Sequence, residues 1–394
     1  MCVSVGRVAG ELKDVMAATK HIVLLGGGHA HVFVLEAFAR TPEPGVQLTL
    51  VAKELAAPYS GMLPGFVAGH YTLDQCHIDL VWLSRLAGAR LIHGEATGLD
   101  RAARRVLING QPPLTYDLLS IDVGITPQLD GIDGAVEHAL AVKPVSLFAP
   151  KWQALERRAL EADGPRTFAV VGGGAAGVEL VLAAAHRLRT CAASGRLNPA
   201  AYRFCLVAGR SVLPGHNRRA GLLATRALAG AGIEVIVGDN AASITREAVQ
   251  FASGRMIAAD AVLVSTKAAA PGWFAKTGLS LTADGFIVTR PTLQVVGDDN
   301  VFAVGDCASI TDRPLAKSGV YAVRQGPVVA ENLRRRVRGE PLVSFVPQQK
   351  TLALISLGGR CAIAAYGGFA ASGGWAWVWK DKIDRKFVDR FNTR

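Results

Sequence analysis

The stretch HIVLLGGGHAHVFVLEAFAR (residues 21–40) contains a hydrophobic strand pattern, a run of three glycines and a helical pattern, in that order. This order is typical of the turn that binds the pyrophosphate of a dinucleotide, where glycines let backbone amides approach the phosphates. In the pattern G-x-G-x-x-G, Gly26 and Gly28 take the first two glycine positions, and His31 stands at the third. The strand pattern VQLTLVA (Val46–Ala52) completes a unit of βαβ size, which makes the match more specific.

The same arrangement returns in TFAVVGGGAAGVELVLAAAHRL (residues 167–188). Gly172, Gly174 and Gly177 complete the glycine pattern there, and the strand pattern YRFCLVA follows at residues 202–208. Two such turns, about 146 residues apart, indicate a repeat of whole domains. The sequence therefore predicts an α/β fold with two Rossmann-like domains and two bound dinucleotides.

A third pattern, NVFAVGDCASI (residues 300–310), is an apolar strand that ends in Gly305 and Asp306. An aspartate at the end of a strand can accept a hydrogen bond from a hydroxyl group of a bound polyol. Most Gly-Asp pairs are ordinary turns, but the two upstream glycine turns favour a role for this pair in binding a cofactor.

Four segments, in chain order, resemble the FAD- and NAD(P)-binding flavoproteins of the pyridine nucleotide-disulfide oxidoreductase superfamily: GGGHAH, YDLLSIDVG (residues 116–124), GGGAAG and VFAVGD. Within this superfamily the chain looks most like type II NADH dehydrogenases. It looks closer still to the flavoprotein module found fused to selenide, water dikinase. That nearer resemblance rests on YSGMLPG (59–65), KSGVYAVRQGP (317–327) and KDKIDRKFVDRF (380–391).

The resemblance implies a glutathione-reductase-like flavoprotein with two Rossmann-like domains, a C-terminal extension, and FAD and NAD(P)H as cofactors. Residues 20–122 and 285–345 would form the FAD-binding domain, and residues 123–284 the inserted NAD(P)H-binding domain. Residues 346–394 would form the extension with an amphipathic helix, and residues 1–19 an N-terminal tail.

The implied binding residues lie at the two turns and at nearby strand ends. For FAD they are Gly26, Gly28, His29, Ala30, His31, Lys53, Gly305 and Asp306, and for the nicotinamide cofactor they are Gly172, Gly174, Gly177 and Arg210. The third glycine normally lets the helix pack tightly on the strand, so His31 must push the helix outward or turn its ring toward a polar partner. Two interpretations stay open: a structural histidine, and a donor to the FAD pyrophosphate from His29 or His31.

Neither half has the carboxylate that usually binds ribose hydroxyls at the end of the second strand. Ala52 and Lys53 stand there in the first half, and Ala208 and Arg210 in the second. The missing acid removes repulsion against a 2′-phosphate and Arg210 can pair with one, so NADPH is slightly favoured over NADH. A second half that has lost its nucleotide altogether is the other interpretation.

The resemblance also implies which residues meet the flavin. The loop over residues 58–69 would line the isoalloxazine, with Tyr59 as a candidate for ring contact. Lys317 and Arg324 would stabilise negative charge on the reduced flavin together with the dipole of the helix that begins near Gly319. Tyr59, Lys317 and Arg324 are therefore the predicted catalytic residues. Val320 and Arg324 take the positions of the glutamine pair of type II dehydrogenases, which leaves the electron acceptor open.

Composition excludes several other classes. Half of the 394 residues are hydrophobic and 19% are charged, as in ordinary globular proteins. The net charge is +11, but the basic residues are scattered apart from RRRVR (334–338), so no nucleic-acid partner is predicted. No cysteines have dithiol or metal-ligand spacing, which predicts reduced thiols, no metal and a cytoplasmic protein. Only Cys76 lies where disulfide reductases hold their pair, and sulfide:quinone-type chemistry stays a minor alternative.

The C-terminal segment predicts an amphipathic helix. Trp375, Trp379, Ile383, Phe387 and Phe391 recur every four residues, and lysines and arginines crowd the other faces. Such a helix caps its own domain or a partner in a homodimer, or it lies in the interface of a membrane. The cap is favoured, and peripheral contact with the inner face of the membrane stays open.

The leading prediction is an FAD-dependent oxidoreductase that takes a hydride from NAD(P)H and passes electrons to a quinone or another small acceptor. The alternative is an FAD-bearing redox or binding module, linked to selenium metabolism, without nicotinamide turnover. The complete second turn favours the enzyme, whereas Ala208 and the segment STKA (265–268) favour the alternative.

Overall fold

The computed structural model describes residues 19–195, 197–265, 268–311, 313 and 315–393. The predicted N-terminal tail lies outside these residues except for residue 19, and so do Thr266 and Lys267 of the STKA segment. The chain forms two compact units. The first contains residues up to Ala57, Asp79–Gly124 and Ala270–Val346, and the second contains Pro58–Ile78, Ile125–Ala269 and the chain from Pro347.

Helices and strands alternate through both units. The helices described are α1 (His29–Arg40), α2 (Leu63–Val67), α3 (Leu80–Leu86), α4 (Ala135–His138), α5 (Val145–Ala159), α6 (Ala175–Ser194), α7 (Arg218–Gly230), α8 (Gly319–Arg338) and α9 (Gly374–Asn392). The strands are β1 (Lys20–Leu25), β2 (Val46–Ala52), β3 (Ala56–Pro58), β4 (His77–Asp79), β5 (Arg90–His93), β6 (Ala96–Asp100), β7 (Arg105–Ile108), β8 (Leu114–Thr115), β9 (Leu118–Ile121), β10 (Thr126–Pro127), β11 (Ala139–Ala141), β12 (Thr167–Val171), β13 (Arg203–Ala208), β14 (Ile233–Val237), β15 (Ala241–Ile244), β16 (Ala248–Phe251), β17 (Met256–Ala258), β18 (Ala261–Val264), β19 (Ala268–Ala269), β20 (Ile287–Thr289), β21 (Gln294–Val295), β22 (Asp298–Ala303), β23 (Ala308–Ile310), β24 (Ala353–Ser356), β25 (Ala362–Tyr366) and β26 (Phe369–Gly373).

Each unit is built on a largely parallel sheet. In the first unit the strand order is β23-β20-β21-β22-β9-β1-β2-β5, with β1 parallel to both β2 and β9. In the second unit it is β11-β18-β12-β13-β14, with β12 parallel to both β13 and β18. The two sheets therefore repeat one βαβ arrangement, and the predicted α/β fold with two Rossmann-like domains is confirmed.

The central strands are apolar because both faces of each sheet are covered. Ile22, Val23 and Leu24 of β1 are fully buried, and every residue of β12 is buried. In the first unit α1 packs closely on α8, where a Cβ at Gly326 would lie 2.7 Å from the ring of Phe33. This packing holds the N-terminus of α1 at the carboxyl end of β1.

The compact units differ from the predicted domain boundaries at three segments. Residues 58–78 and the chain from Pro347 belong to the second unit, and residues 270–284 belong to the first. Phe274 and Leu279 explain the last assignment because they are buried in the core of the first unit. Within the described residues, no helix is long and apolar enough to cross a membrane.

Candidate dinucleotide-binding sites

Both glycine turns start with a residue at which a side chain is excluded. Gly26 has φ +98°, and a Cβ there would lie 2.3 Å from the carbonyl oxygen of Asp122. Gly172 has φ +131°, and a Cβ there would lie 2.2 Å from the carbonyl oxygen of Ser265. Asp122 and Ser265 take the same position, directly after the strand that pairs with the turn's own strand. The two turns therefore share one backbone geometry.

The second glycines, Gly28 and Gly174, are the N-caps of α1 and α6, and neither helix has a side chain capping it from this position. A Cβ at Gly174 would have no atom of the described chain within 4 Å. A Cβ at Gly28 would lie 2.2 Å from the carboxyl carbon of Asp122. The N-terminus of α6 is thus open, whereas a carboxyl group stands in front of the N-terminus of α1.

The third position differs as well. A Cβ at Gly177 would lie 1.8 Å from the carbonyl oxygen of Gly172, so glycine is required for α6 to pack this closely. His31 stands at the corresponding position of α1 and is fully buried. Its Nδ1 donates to the carbonyl oxygen of Gly26 at 2.6 Å, and its Nε2 accepts from the hydroxyl group of Ser120 at 2.8 Å.

The environment of His31 keeps its ring neutral. Burial lowers its pKa to about 4, and the hydrogen bond to Gly26 opposes this only in part. Both ring nitrogens have partners inside the protein, as the structural interpretation of this histidine requires. The ring turns aside toward polar partners, and the backbone amide of His31 donates to the carboxylate of Asp122.

Asp122 is the residue that sequence reasoning missed. Its carboxylate accepts hydrogen bonds from the backbone amides of Ala30 at 2.7 Å and His31 at 3.1 Å. Burial raises its pKa to about 7, the amides of His31 and Ala30 lower it, and the nearby charge of Asp306 raises it. The available signal was a charged residue directly after the apolar strand LLSI.

The segment Gly305–Cys307 completes the first site. Gly305 has φ +69°, and its amide donates to the side-chain oxygen of Gln325 at 2.6 Å. A Cβ at Gly305 would lie 2.4 Å from a carboxylate oxygen of Asp122. Gly305 and Asp306 therefore lie in the first unit beside the Gly26–Gly28 turn. Gln325 has a structural role here that the sequence did not indicate.

Of the predicted catalytic residues, Lys317 and Arg324 lie in the first unit. The ammonium group of Lys317 donates to the carbonyl oxygen of Ala308 and lies 4.0 Å from the centre of the Phe286 ring. Burial lowers the pKa of Lys317, and the nearby Cys307 and Asp306 oppose this. Arg324 is half-buried on α8, one residue before Gln325. Lys317 is thus held in place, and it is not a freely solvated surface residue.

Tyr59 lies in the second unit, against the C-terminal helix α9. Its ring is 4.5 Å from that of Phe387, and its hydroxyl group shares a hydrogen bond with Asp384. Burial, followed by the charge of Asp384, raises the pKa of Tyr59. The ammonium group of Lys380 donates to Asp384 at 2.6 Å and to the carbonyl oxygen of Gly61 at 2.7 Å. The C-terminal helix therefore holds the loop that carries Tyr59.

Glu179 is a second buried acid that sequence reasoning missed. It lies on α6, two residues after Gly177, and accepts from the amide of Ser356 at 2.8 Å. Burial raises its pKa to about 7, and the charge of Lys380 opposes this. Its signal in the sequence was a lone acid inside an apolar helix, VELVLAAA.

The predicted ribose positions have different surroundings. Lys53 pairs with Glu95 at 2.8 Å on the surface of the first unit. Arg210 is exposed in the second unit, just after β13. Next to it lies a cavity of about 250 Å³, lined by Ile132, Val171, Gly172, Val207, Gly209, Asn240 and Ala241. The cavity lies at the carboxyl ends of β12 and β13, where this fold binds a nucleotide.

The buried cysteines have the properties of ordinary thiols. Burial raises the pKa values of Cys76 and Cys307 to about 12 each. The described cysteines are free, and within the described residues no cluster of histidine, cysteine or acidic side chains could hold a metal ion.

The glycine positions and the open helix fit a dinucleotide, and comparison with known proteins gives the family. The family model described as pyridine nucleotide-disulphide oxidoreductase matches residues 20–326. The chain belongs to this family. It is an oxidoreductase of a family that depends on FAD and NAD(P)H, so the predicted cofactors and enzyme class are confirmed.

Two relatives and two solved structures illustrate the similarity. The NADH dehydrogenase-like protein YutJ of Bacillus subtilis (strain 168) is 27% identical over 351 residues, which cover 87% of this chain and 91% of that protein. A type II NADH:quinone oxidoreductase of Staphylococcus aureus (strain bovine RF122 / ET3-1) is 24% identical over 390 residues, which cover 94% of this chain and 95% of that protein.

The structure of NDH2 from Plasmodium falciparum in complex with NADH has a TM-score of 0.79 at 14% identity, covering 94% of this chain and 98% of that chain. The sulfide:quinone oxidoreductase from Aquifex aeolicus has a TM-score of 0.79 at 17% identity, covering 94% and 91%. At these identities the solved structures show a shared fold. The resemblance to type II NADH dehydrogenases is confirmed, and the link to selenide, water dikinase stays a prediction.

Proposed function

We propose that this enzyme oxidises NAD(P)H and reduces a quinone, with FAD held at the first glycine turn and the nicotinamide dinucleotide at the second. FAD, when bound, supplies the chemistry that accepts a hydride and passes electrons on. The observation that carries the proposal is the second turn, where the N-terminus of α6 is open and a cavity adjoins Gly172.

The residues proposed to hold FAD lie around the first turn. Gly26 and Gly28 bring the backbone close to the pyrophosphate, which lies at the N-terminus of α1 formed by His29 and Ala30, beside the carboxyl group of Asp122. The Gly305–Asp306 pair accepts from hydroxyl groups of the ribitol. Lys53 would make a more distant contact with FAD, because its ammonium group already pairs with Glu95. Both ring nitrogens of His31 have protein partners and its backbone amide donates to Asp122, so His31 contributes by holding the carboxyl group of Asp122 in place.

Charge in the first unit favours reduction of the flavin. We propose that Lys317, with the first turn of α8, stabilises the negative charge of the reduced flavin. Ser318 caps this helix and accepts from the amide of Val320, which keeps the helix dipole aligned. Arg324, one turn further along, adds to the same field. Tyr59 is proposed to contact the flavin ring, with Lys380 and Asp384 setting its position.

The choice of nicotinamide cofactor follows from Arg210. No carboxylate stands at the end of β13, and Arg210 is exposed beside the cavity. We propose that the enzyme accepts NADPH at least as well as NADH, because Arg210 can pair with the 2′-phosphate. The relatives whose names mention a cofactor name NADH.

Quinone is proposed as the acceptor because type II NADH:quinone oxidoreductases are among the relatives. The sulfide:quinone alternative has weaker support. Its chemistry relies on thiolates, and thiols with pKa values near 12, as at Cys76 and Cys307, stay protonated at neutral pH.

Anaerobic titration of the purified protein tests the proposal. NADPH and NADH should each bleach the flavin absorbance, and a water-soluble quinone should then restore it. Bleaching without reoxidation by quinone would contradict the acceptor. Failure of both nucleotides to bleach bound FAD would instead favour the binding module without nicotinamide turnover.

The surface of α9 supports peripheral contact with a membrane. Its buried face carries Lys380 and Asp384, whereas Trp375, Trp379 and Ile383 are 53%, 44% and 40% exposed. An exposed apolar stripe on a lysine- and arginine-rich helix is typical of an interfacial helix. We propose that this stripe meets the inner face of the cytoplasmic membrane. Phe391 is buried, so the end of the helix serves as the structural cap.

Liposome sedimentation checks this contact. The variant Trp375→Ser, Trp379→Ser, Ile383→Ser should lose most binding to anionic vesicles and still fold, because the three side chains are exposed. Binding of the unmodified protein should fall with added salt, which screens the attraction between basic residues and anionic lipids. Val136→Ser removes an apolar side chain that is 71% exposed elsewhere in the second unit, and it should change nothing. Equal sedimentation of the triple variant would contradict the membrane contact.

A further inference from the structure

The carboxyl group of Asp122 stands at the N-terminus of α1, beside the place where a phosphate is expected. Its oxygen accepts from the amides of Ala30 and His31, at the N-terminus of α1. In this fold those amides face the pyrophosphate of the bound dinucleotide, because the helix N-terminus carries partial positive charge. At the second turn the corresponding residue is Ser265, which brings no negative charge to the site. Asp122 thus makes the two turns electrostatically different.

A charged carboxylate directly beside a pyrophosphate is electrostatically unfavourable. Asp122 is 4% exposed, and a buried charge without a cationic partner is unfavourable. The pyrophosphate would bring two further negative charges next to it, and Asp306 already contributes one nearby. A neutral carboxyl group removes this repulsion and still fills the space between Gly28 and Gly305.

We propose that Asp122 takes up one proton from solvent when FAD binds at the first turn. The proton stays on the carboxyl group, and no electron transfer accompanies it. The inference rests on the proposed function, because it needs FAD at this turn. Asp122 is then a positioning residue: in its neutral form it leaves the positive N-terminus of α1 to the pyrophosphate.

Asp122 differs from the neighbouring His31 and Cys307 in that its pKa lies near neutrality. The pKa of Asp122 is about 7, so a further negative charge nearby raises it enough for the carboxyl group to be protonated at neutral pH. His31 on α1 stays neutral because its pKa is about 4, and Cys307 stays a thiol because its pKa is about 12. Lys317, ahead of α8, faces Cys307 and Asp306. Asp306 on the segment after β22 adds a negative charge that favours the protonated form of Asp122.

The pH dependence of FAD binding tests the proposal. Apoprotein prepared by removal of FAD is titrated with FAD between about pH 6 and pH 9. If one proton is taken up on binding, the Kd for FAD should rise by about tenfold per pH unit once the pH exceeds the pKa of Asp122 in the FAD-free protein. Calorimetry at pH 8, in buffers of different ionisation enthalpy, should report uptake approaching one proton per FAD. Uptake near zero at this pH would overturn the proposal, whatever the variants do.

Two matched variants separate this role from that of a helix cap. Asp122→Asn keeps a side-chain oxygen for the amides but cannot ionise, so its Kd should be flat with pH and lower than that of the unmodified protein at pH 9. Asp117→Asn changes a carboxylate of the same unit that pairs with Lys20, and it should keep the pH slope. If Asp122→Asn keeps the slope, the proposal is wrong. If the unmodified protein binds no FAD at any pH, the proposed function itself fails, which is a different result from FAD binding that is independent of pH.

Discussion

The two glycine turns have the same backbone geometry and different surroundings. Each begins with a glycine of positive φ whose Cβ would strike the carbonyl of the residue after the adjacent strand. At the second turn that residue is Ser265, the helix starts in open space, and Gly177 packs within contact of Gly172. At the first turn Asp122 covers the helix N-terminus, and His31 replaces the third glycine.

A glycine motif therefore defines the path of the backbone but not the charge at the N-terminus of the helix that follows. The charge comes from a different strand, about 90 residues away in the sequence. The difference between the two turns also shows that the third glycine is needed at the second turn, where a Cβ would strike the carbonyl oxygen of Gly172, and not at the first. A buried histidine fits at the first turn because its ring reaches Gly26 and Ser120.

The largest expected effect follows from the open second turn. Gly174→Trp should abolish bleaching of the flavin at NAD(P)H concentrations that just saturate the unmodified protein, while FAD stays bound, because the indole would occupy the space of the pyrophosphate. Loss of charge-assisted hydrogen bonds worth about 3 kcal/mol weakens binding by about 100-fold. Stopped-flow absorbance at several nucleotide concentrations measures this, with released FAD as the control for the first turn. Unchanged bleaching would place the nicotinamide site elsewhere.

An effect of intermediate size is expected on stability, when the second glycine of each turn, Gly28 or Gly174, is replaced by alanine. Gly28→Ala should destabilise the protein by about 1–3 kcal/mol, because its Cβ would lie 2.2 Å from the Asp122 carboxyl carbon. Gly174→Ala should cost well under about 1 kcal/mol, since its Cβ enters open space and glycine is only slightly better than alanine at an N-cap. Urea unfolding of both variants gives the comparison.

The double variant Gly28→Ala, Asp122→Ala sharpens that test. Removing the carboxyl group should recover part of the cost of the methyl group, so the two changes should not be additive. If the losses of unfolding free energy in the two single variants add up in the double variant, the carboxyl group of Asp122 is not what excludes a side chain at residue 28.

The smallest effect concerns the pH dependence of stability through His31. Its folded pKa, about 4, lies below the ordinary value of 6.5, so the unfolded chain binds more protons between these values. The contribution of His31 to stability is therefore complete above pH 6.5 and falls as the pH is lowered, by up to about 1.4 kcal/mol per pH unit. His31→Gln should remove this component.

The measurement is the difference in unfolding free energy between the two proteins at pH 7.5 and pH 5.5. Asp122 contributes with the opposite sign, because its raised pKa favours the folded state at lower pH, but it is present in both proteins and cancels. A difference that does not shrink at pH 5.5 would mean that His31 is charged in the folded protein.

The sequence alone determined the fold class, the two turns and the cofactor class. These follow from short-range patterns: apolar strands covered on both faces, glycines where a side chain has no room, and helices directly after them. Gly26 and Gly172 could be predicted because the positive φ of the turn is a local requirement, and Gly177 because its Cβ would strike the carbonyl group of Gly172, five residues earlier. The resemblance added the family, which the match over residues 20–326 confirms.

Only the tertiary structure decided what stands in front of each turn. Asp122 and Glu179 are single acids in apolar segments, and nothing in their neighbours along the chain shows that each is buried against the amide of another element. Lys380 and Asp384 face inward while Trp375 and Trp379 are exposed, which the favoured interpretation of α9 as a cap did not predict for the first half of the helix. The reason is physical: burial and pKa depend on which elements pack together, and this packing brings together residues that are far apart in the sequence.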